Sequence, residues 1–251
     1  MTLDADTRAA LGELLLSLAD DEFVIGFWDS EWTGIAPMLE EDVAMSSISQ
    51  DEIGHARALY GLLAELTGAD ADAIAFGRPA AEFRHAALMN HARGDWAFTI
   101  ARRFLYEWAD AVRLAAMAGS SYEPLANLAA KMRREESYHR MHIDTWLRRL
   151  ASSDARDRLQ AALQRAWPDA QAIFSPLAGE AALVGSGILA RPFDELRGDW
   201  RERVQSILAE QGLSLPDAAI PSDGRTRRTD AFDWLHGQFT MVAASEAGAT
   251  W

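Results

Sequence analysis

Apolar and polar positions follow a helical period along almost the whole chain. From Thr7 to about Glu31, the residues Leu11, Leu15, Leu18, Glu22, Ile25 and Asp29 recur at steps of 3 and 4, which is one face of a helix. The turn Trp32-Thr-Gly-Ile-Ala-Pro37 ends this helix, because Gly34 breaks it and Pro37 suits the first position of the next. A second helix runs over 37–66, with Met45, Ile48, Glu52, His55, Leu59 and Leu62 on one stripe. So short a connection makes the two helices antiparallel neighbours.

The segment from Thr67 to Arg93 has no clear period and reads as a long crossing connection. His85 and His91, off any stripe there, read as surface positions. A third helix over 95–117 carries Ile100, Phe104, Glu107, Ala111 and Leu114 on one face. The turn Gly119-Ser-Ser-Tyr-Glu-Pro124 leads to a fourth, ending near Ala151, with Met132, Glu136, His139, Ile143, Trp146 and Leu150 in register. Further helices are expected over 154–179, bent or broken at Pro168, over 192–211 and over 229–245, the last after a Pro-, Asp-, Gly- and Arg-rich loop. No stretch alternates with the period of a strand. The chain reads as one all-α domain, 1–251, with a core bundle over 7–151 and a helical extension over 152–251.

Each of the four long stripes is interrupted by a carboxylate, and two of them also by a histidine. Glu52-Ile-Gly-His55 and Glu136-Ser-Tyr-His139 place a Glu and a His one turn apart on one helix face, so that both side chains reach one metal ion. One such motif is weak evidence, since a solvated pair or a core histidine gives the same spacing. Two copies, 84 residues apart and each inside an apolar stripe, resemble a duplicated helical hairpin. With Glu22 and Glu107 they make the ligand set of ferritin-like di-iron and di-manganese bundles: one Glu from each of two helices and Glu-x-x-His from each of the other two. Were the set incidental, four acids and two histidines on apolar stripes would carry a large uncompensated desolvation cost.

Helix geometry supports the pairing. Glu107 lies 12 residues before Gly119 and Glu136 lies 12 after Pro124, so both stand about 18 Å from the turn. In the first hairpin the separations are 11 residues from Glu22 to Thr33 and 15 from Pro37 to Glu52, an offset of about one turn. Asp51, Glu135, Tyr138 and His142 flank the motifs. They are candidates to support the ligands, for example by accepting the histidines' other N–H, although surface or packing roles fit them equally. Asp20 and Asp21 lie off the first stripe. The tryptophans Trp28, Trp96, Trp108 and Trp146 read as packing residues, and Arg102, Arg103, Arg133 and Arg134 as a solvated face.

Composition narrows the function. There are 38 acidic and 24 basic residues, a net charge of −14 with no basic block, which disfavours nucleic acid and anionic membrane surfaces as partners. The absence of cysteine excludes disulfides, zinc thiolates and iron–sulfur clusters. The N-terminal stretch lacks the basic head of a signal peptide, and no apolar run is long enough to span a bilayer, so the expectation is a cytoplasmic protein.

QDEIGHARALYGLLAELTG, SYEPLA and KMRREESYH, with AFGRPAAEFRHAAL, GDWAFTIARRFLYEWADAVRL and RTDAFDWLHGQF, resemble the ferritin-like subunits of the bacterial phenylacetyl-CoA epoxidase family, multicomponent di-iron oxygenases of phenylacetate catabolism. The framework is similar to the smaller, structural subunit. The motif positions Glu22, Glu52, His55, Glu107, Glu136 and His139 are similar to the metal-binding pattern of the larger, catalytic one. The resemblance implies a ferritin-like four-helix bundle with a long crossover and additional C-terminal helices. It also implies a di-iron monooxygenase, or a subunit of one, that oxidises an aromatic acyl-CoA or a similar apolar substrate. Such an enzyme would use two iron ions (manganese shares these ligands), dioxygen and an external reductant. Its partners would be other oxygenase subunits, in a homo- or hetero-oligomer, and a reductase component. The alternatives are a non-catalytic scaffold subunit with a partial or vestigial metal site and a ferritin-like iron-oxidising protein. The apolar helix bearing Trp234, Leu235 and Phe239 is a candidate subunit contact, or else packs on its own bundle.

Overall fold

The computed structural model describes residues 3–245, which contain nine α-helices, three short 3-10 turns and no strand. The helices are α1 (Ala5–Ser30), α2 (Leu39–Thr67), α3 (Ala71–Phe76), α4 (Trp96–Met117), α5 (Glu123–Ala151), α6 (Arg156–Ala170), α7 (Glu180–Gly185), α8 (Phe193–Glu210) and α9 (Asp230–Ser245). Two long hairpins, α1–α2 and α4–α5, separated by a long connection and followed by further helices, make the fold all-α and ferritin-like. Among the described residues no helix is long and apolar enough to cross a membrane.

The described residues fall into two compact units. One comprises Leu14–Arg93 and the segment from Arg225 onward, and the other the segment up to Glu13 and Gly94–Gly224.

In the first unit, contacts between α1 and α2 run in opposite directions along the two helices, as an antiparallel hairpin requires. Thr33 meets Ser46, Gly26 faces Ser49 and Glu52, Glu22 meets His55, and Asp20 meets Tyr60. The one-turn offset expected from the spacing is absorbed by the connection. Trp32 and Thr33 donate to the carbonyls of Asp29 and Ser30, and Ile35 and Ala36 both donate to Trp32, so the chain keeps coiling beyond Ser30. Glu22 therefore lies 14 residues from Ala36, nearly matching the 15 from Pro37 to Glu52.

The connection after α2 is packed rather than loose. Gly68, at φ 79°, closes α2 in the left-handed conformation that costs glycine little, and Asp70 caps α3 by accepting from the Ala73 N–H at 2.8 Å. The stretch Ala86–Asn90 is buried, and Trp28 donates its indole N–H to the Met89 carbonyl at 2.9 Å. Helix α9 covers this segment with Phe232, Leu235 and Phe239, the Phe239 ring lying 5.0 Å from Phe23 and 5.7 Å from Phe83. Its Trp234 stacks on Trp28 while remaining 50% exposed. The C-terminal helix thus packs on its own unit.

His85 corrects the surface expectation. It is fully buried, hydrogen-bonded through Nε2 to Asn90 Oδ1 at 3.0 Å and 4.1 Å from the Phe232 ring, whereas His91 is half-buried. Burial and the nearby Arg228 charge hold the His85 imidazole down to about 3. The unfolded chain therefore takes up a proton near pH 6.5 that the folded chain refuses until about pH 3, and stability falls as pH drops through this window. His85→Gln is expected to flatten this loss, which should reach the order of 1 kcal/mol per pH unit in the parent. Urea midpoints of the two proteins at pH 7.5 and 5 give the comparison; parallel losses would contradict the account.

In the second unit α4 and α5 form a hairpin in which Trp108 donates to Asp144 at 3.0 Å and Trp96 meets the Trp146 ring edge-on. Asp95 caps α4 through the Phe98 N–H, and a proline stands in the first turn of α5. Helix α6 continues through Pro168 to Ala170 before tightening into the 3-10 turn Gln171–Phe174, so the expected break falls just beyond the proline. Trp167, Phe174, Phe193 and Trp200 form an aromatic cluster, with the Trp200 indole donating to the Leu105 carbonyl of α4 at 3.1 Å.

Candidate metal centre

The stripes place the acidic and imidazole side chains where the sequence expects them. In the first unit Glu22 from α1 and Glu52 and His55 from α2 are all buried, and each offers a ligand atom within 4.8 Å of the others. His55 Nδ1 lies 3.5 Å from Glu22 Oε2 and 3.8 Å from Glu52 Oε2. In the second unit Glu107 from α4 and Glu136 and His139 from α5 satisfy the same criterion, again fully buried. There His139 Nδ1 lies 3.2 Å from Glu136 Oε1. Both histidines thus turn the same ring nitrogen toward their motif carboxylate, as the repeated Glu-x-x-His spacing requires.

The electrostatics of both triads suit a cation. Burial works against a charged His55, yet Glu22 and Glu52, through hydrogen bonding and charge, outweigh it and hold the imidazole up to about 12. A proton there supplies the positive charge that two buried carboxylates demand. Burial pushes the Glu107 carboxyl well above the usual carboxylate range, and the Glu136 charge adds to this while Arg103 opposes it. Glu107 Oε2 is buried without a hydrogen-bond donor. Two carboxylates and one imidazole are hard and borderline donors matching iron, manganese or zinc, and leave open positions on a six-coordinate ion. The residues therefore fit a divalent metal in each triad.

The close approach of α1 to α2 depends on Gly26. A Cβ there would lie 3.0 Å from Glu52 Cβ and from Ile53 Cγ1 and 3.2 Å from the Ser49 carbonyl oxygen, none of them the free end of a long side chain. Gly26→Ala should gain roughly 0.5–1 kcal/mol of helix propensity but lose about 1–3 kcal/mol to crowding. The expected net result is a lower denaturation midpoint, because Glu52 and Ile53 are pushed from their places. A midpoint raised by the substitution would show the interface to be looser than this.

The flanking candidates lie less centrally. Asp51 is half-buried, beside rather than on the α2 stripe. Glu135 pairs with Lys131 at 3.9 Å on the outer side of α5. Tyr138 is 48% exposed and stacks on the half-buried His142, with its ring centre 6.3 Å from that of His139.

Several polar residues beside the stripes are buried as well. Arg102 and Arg103 are fully buried rather than solvated, while Arg133 and Arg134 are exposed. Arg103 donates to Glu107, and the i, i+4 spacing of Arg103 and Glu107 was the available signal. Asp20 and Asp21, adjacent to Glu22, are buried too. Asp20 accepts from Arg78, Tyr60 and the Arg84 N–H, and Asp21 accepts from Arg225 and the Ala86 N–H, fixing α1 to the connection and to the loop before α9.

The family described as phenylacetic acid catabolic protein matches residues 2–251. The chain belongs to that family. The match thus takes in the C-terminal helices as well as the two hairpins that carry the Glu-x-x-His motifs. One subunit of the 1,2-phenylacetyl-CoA epoxidase of Escherichia coli (strain K12) is 31% identical over 204 residues, covering 80% of this chain and 82% of that protein. A different subunit of the same epoxidase is 26% identical over 224 residues, covering 86% of this chain and 72% of that protein. This member of the phenylacetic acid catabolic family is thus similar to two different subunits of one enzyme.

Proposed function

We propose that this chain is a di-iron oxygenase component that oxidises an aromatic acyl-CoA, or a similar apolar substrate, with dioxygen and an external reductant. Glu22, Glu52 and His55 would hold one iron ion, and Glu107, Glu136 and His139 the other. The observation that carries the reading is the enclosure of two carboxylates and one imidazole, twice, on helix faces that are otherwise apolar. Burying such groups without a cation is costly, and structural packing alone gives no reason for it. Membership of the phenylacetic acid catabolic family and similarity to two epoxidase subunits support the reaction class and the aromatic substrate.

Iron, when bound, would supply dioxygen activation; the protein supplies ligand geometry and a dry surrounding. Met45, Ile48 and Leu59 flank the ligands on α2, and Met132, Ile143 and Trp146 flank them on α5, all buried, so water is kept from both triads. The chain carries no cysteine and no flavin or nucleotide motif, so electrons would come from a separate reductase component. Assembly with other oxygenase subunits, in the cytoplasm, completes the proposal.

A scaffold role is favoured by one specific observation, the Arg103 guanidinium on Glu107, which supplies by protein charge what a metal would otherwise supply. The two readings separate in one assay. Anaerobically iron-loaded chain is mixed with phenylacetyl-CoA and a chemical reductant, and isotopically labelled dioxygen is admitted. Label in the substrate that Glu52→Ala in this chain abolishes, with or without an added partner protein, supports the catalytic reading; label that needs a partner protein and survives Glu52→Ala supports the scaffold.

A further inference from the structure

Where the loop before α9 meets the connection after α2, four arginines gather around the 3-10 turn Ala80–Glu82 of the first unit. Arg228 donates through Nε to the Ala80 carbonyl at 3.1 Å, Arg84 through Nη1 to the Ala81 carbonyl at 3.1 Å, and Arg78 through Nη1 to the Glu82 carbonyl at 3.2 Å. Arg225 reaches the Arg84 carbonyl at 2.7 Å. Consecutive carbonyls of one short turn thus draw together guanidiniums that repel one another.

The buried carboxylates nearby are already engaged. Asp20 accepts from Arg78 through both oxygens and from the Arg84 backbone N–H, and Asp21 accepts from Arg225 through both of its own. Glu82, on the turn itself, is exposed and acts on Arg78 through its charge. The Arg84 and Arg228 guanidiniums meet backbone carbonyls instead, those of Ala81 and Phe83 for the one and of Ala80, Arg225 and Arg227 for the other. Among the described residues neither guanidinium has a carboxylate partner, and each keeps N–H donors that the protein does not use. Both residues are half-buried. Burial holds the Arg228 guanidinium down to about 10; Asp20 opposes this, and the charges of Arg84, Arg225 and Arg78 reinforce it. Positive charge is therefore concentrated here in a chain whose net charge is −14. An anion between the guanidiniums would relieve their repulsion, and the planar guanidinium fork matches the oxygens of a phosphate.

We propose that Arg84 and Arg228, fixed by the Ala80–Glu82 turn and backed by Arg78 and Arg225, bind a phosphate group. Two sources share this chemistry, free inorganic phosphate and the phosphates of a coenzyme A thioester. The site is independent of the metal reading, since none of its residues belongs to either triad.

The test is isothermal titration calorimetry of the full-length, metal-free chain in phosphate-free buffer at low salt, with inorganic phosphate and coenzyme A as probes. The parent should bind at one site per chain. Arg84→Gln and Arg228→Gln should each weaken binding by about 10-fold or more, through loss of a charge-assisted contact. Arg228→Lys should lie between Arg228→Gln and the parent, and Arg134→Gln, which removes an exposed charge on α5, should bind as the parent does. Coenzyme A binding more tightly than phosphate, and weakened in the same variants, assigns the site to the phosphates of the thioester; phosphate binding as tightly or more tightly assigns it to the free ion. Circular dichroism establishes folding of each variant. Should a glutamine variant fail it, the parent is modified with phenylglyoxal with and without phosphate, and protection of Arg84 and Arg228 is read by peptide mass spectrometry. No saturable binding of either probe, binding unchanged in Arg84→Gln and Arg228→Gln, or equal modification with and without phosphate would overturn the inference while leaving the metal centre standing.

Discussion

Glu52→Ala is expected to lose at least half of the iron that the parent chain retains through desalting, while its far-ultraviolet circular dichroism stays close to that of the parent. Glu52 lies fully buried on α2, one turn from His55 and sharing that imidazole with Glu22. Removing it takes away a buried carboxylate donor that neither Glu22 nor His55 replaces, which weakens the hold on a divalent ion competing with water. Alanine has the higher helix propensity, and the position no longer buries a charge, so α2 should persist. The substitution therefore separates the site from the fold. Iron retention equal to that of the parent would remove Glu52 from the metal centre.

Asp20→Ala should show the opposite pattern, with a loss of about 3–5 kcal/mol in unfolding free energy. Asp20 is fully buried and accepts from Arg78 Nη2 at 2.5 Å, Arg78 Nη1 at 3.1 Å, the Tyr60 hydroxyl at 2.6 Å and the Arg84 N–H at 2.5 Å. Truncation leaves a guanidinium that is nearly buried and a buried phenol without their acceptor, and an unpaired buried charge costs far more than a pair contributes. Asp20→Asn keeps an acceptor for Tyr60 and should fall between the two. Urea denaturation of the three proteins measures this. A loss below about 1 kcal/mol would indicate that water replaces Asp20 in the variant.

The contrast between these residues explains what was legible in the sequence. Glu52, His55, Glu136 and His139 stood out because helical period exposes any polar group that interrupts an apolar stripe. The four long helices, their turns and the hairpin order followed from the same period. Asp20, Asp21 and Arg103 were not legible, because they sit beside the stripe and are buried by segments distant in sequence. The connection through Arg78 and Arg84 covers Asp20, and Arg225 reaches Asp21 from about 200 residues away. His85 was hidden for the same reason: its segment has no period of its own and is enclosed by Asn90 and Phe232. Even the apparent offset between Glu22 and Glu52 was a matter of turn hydrogen bonds between Asp29 and Ala36, which residue counting from Thr33 cannot see.

The most direct test of the metal centre is iron per chain, by elemental analysis after anaerobic equilibrium dialysis against excess ferrous iron. The account predicts about two irons per chain in the parent, and at most about one in Glu52→Ala. A well-folded parent that takes up no iron beyond the level of the dialysis buffer would contradict it.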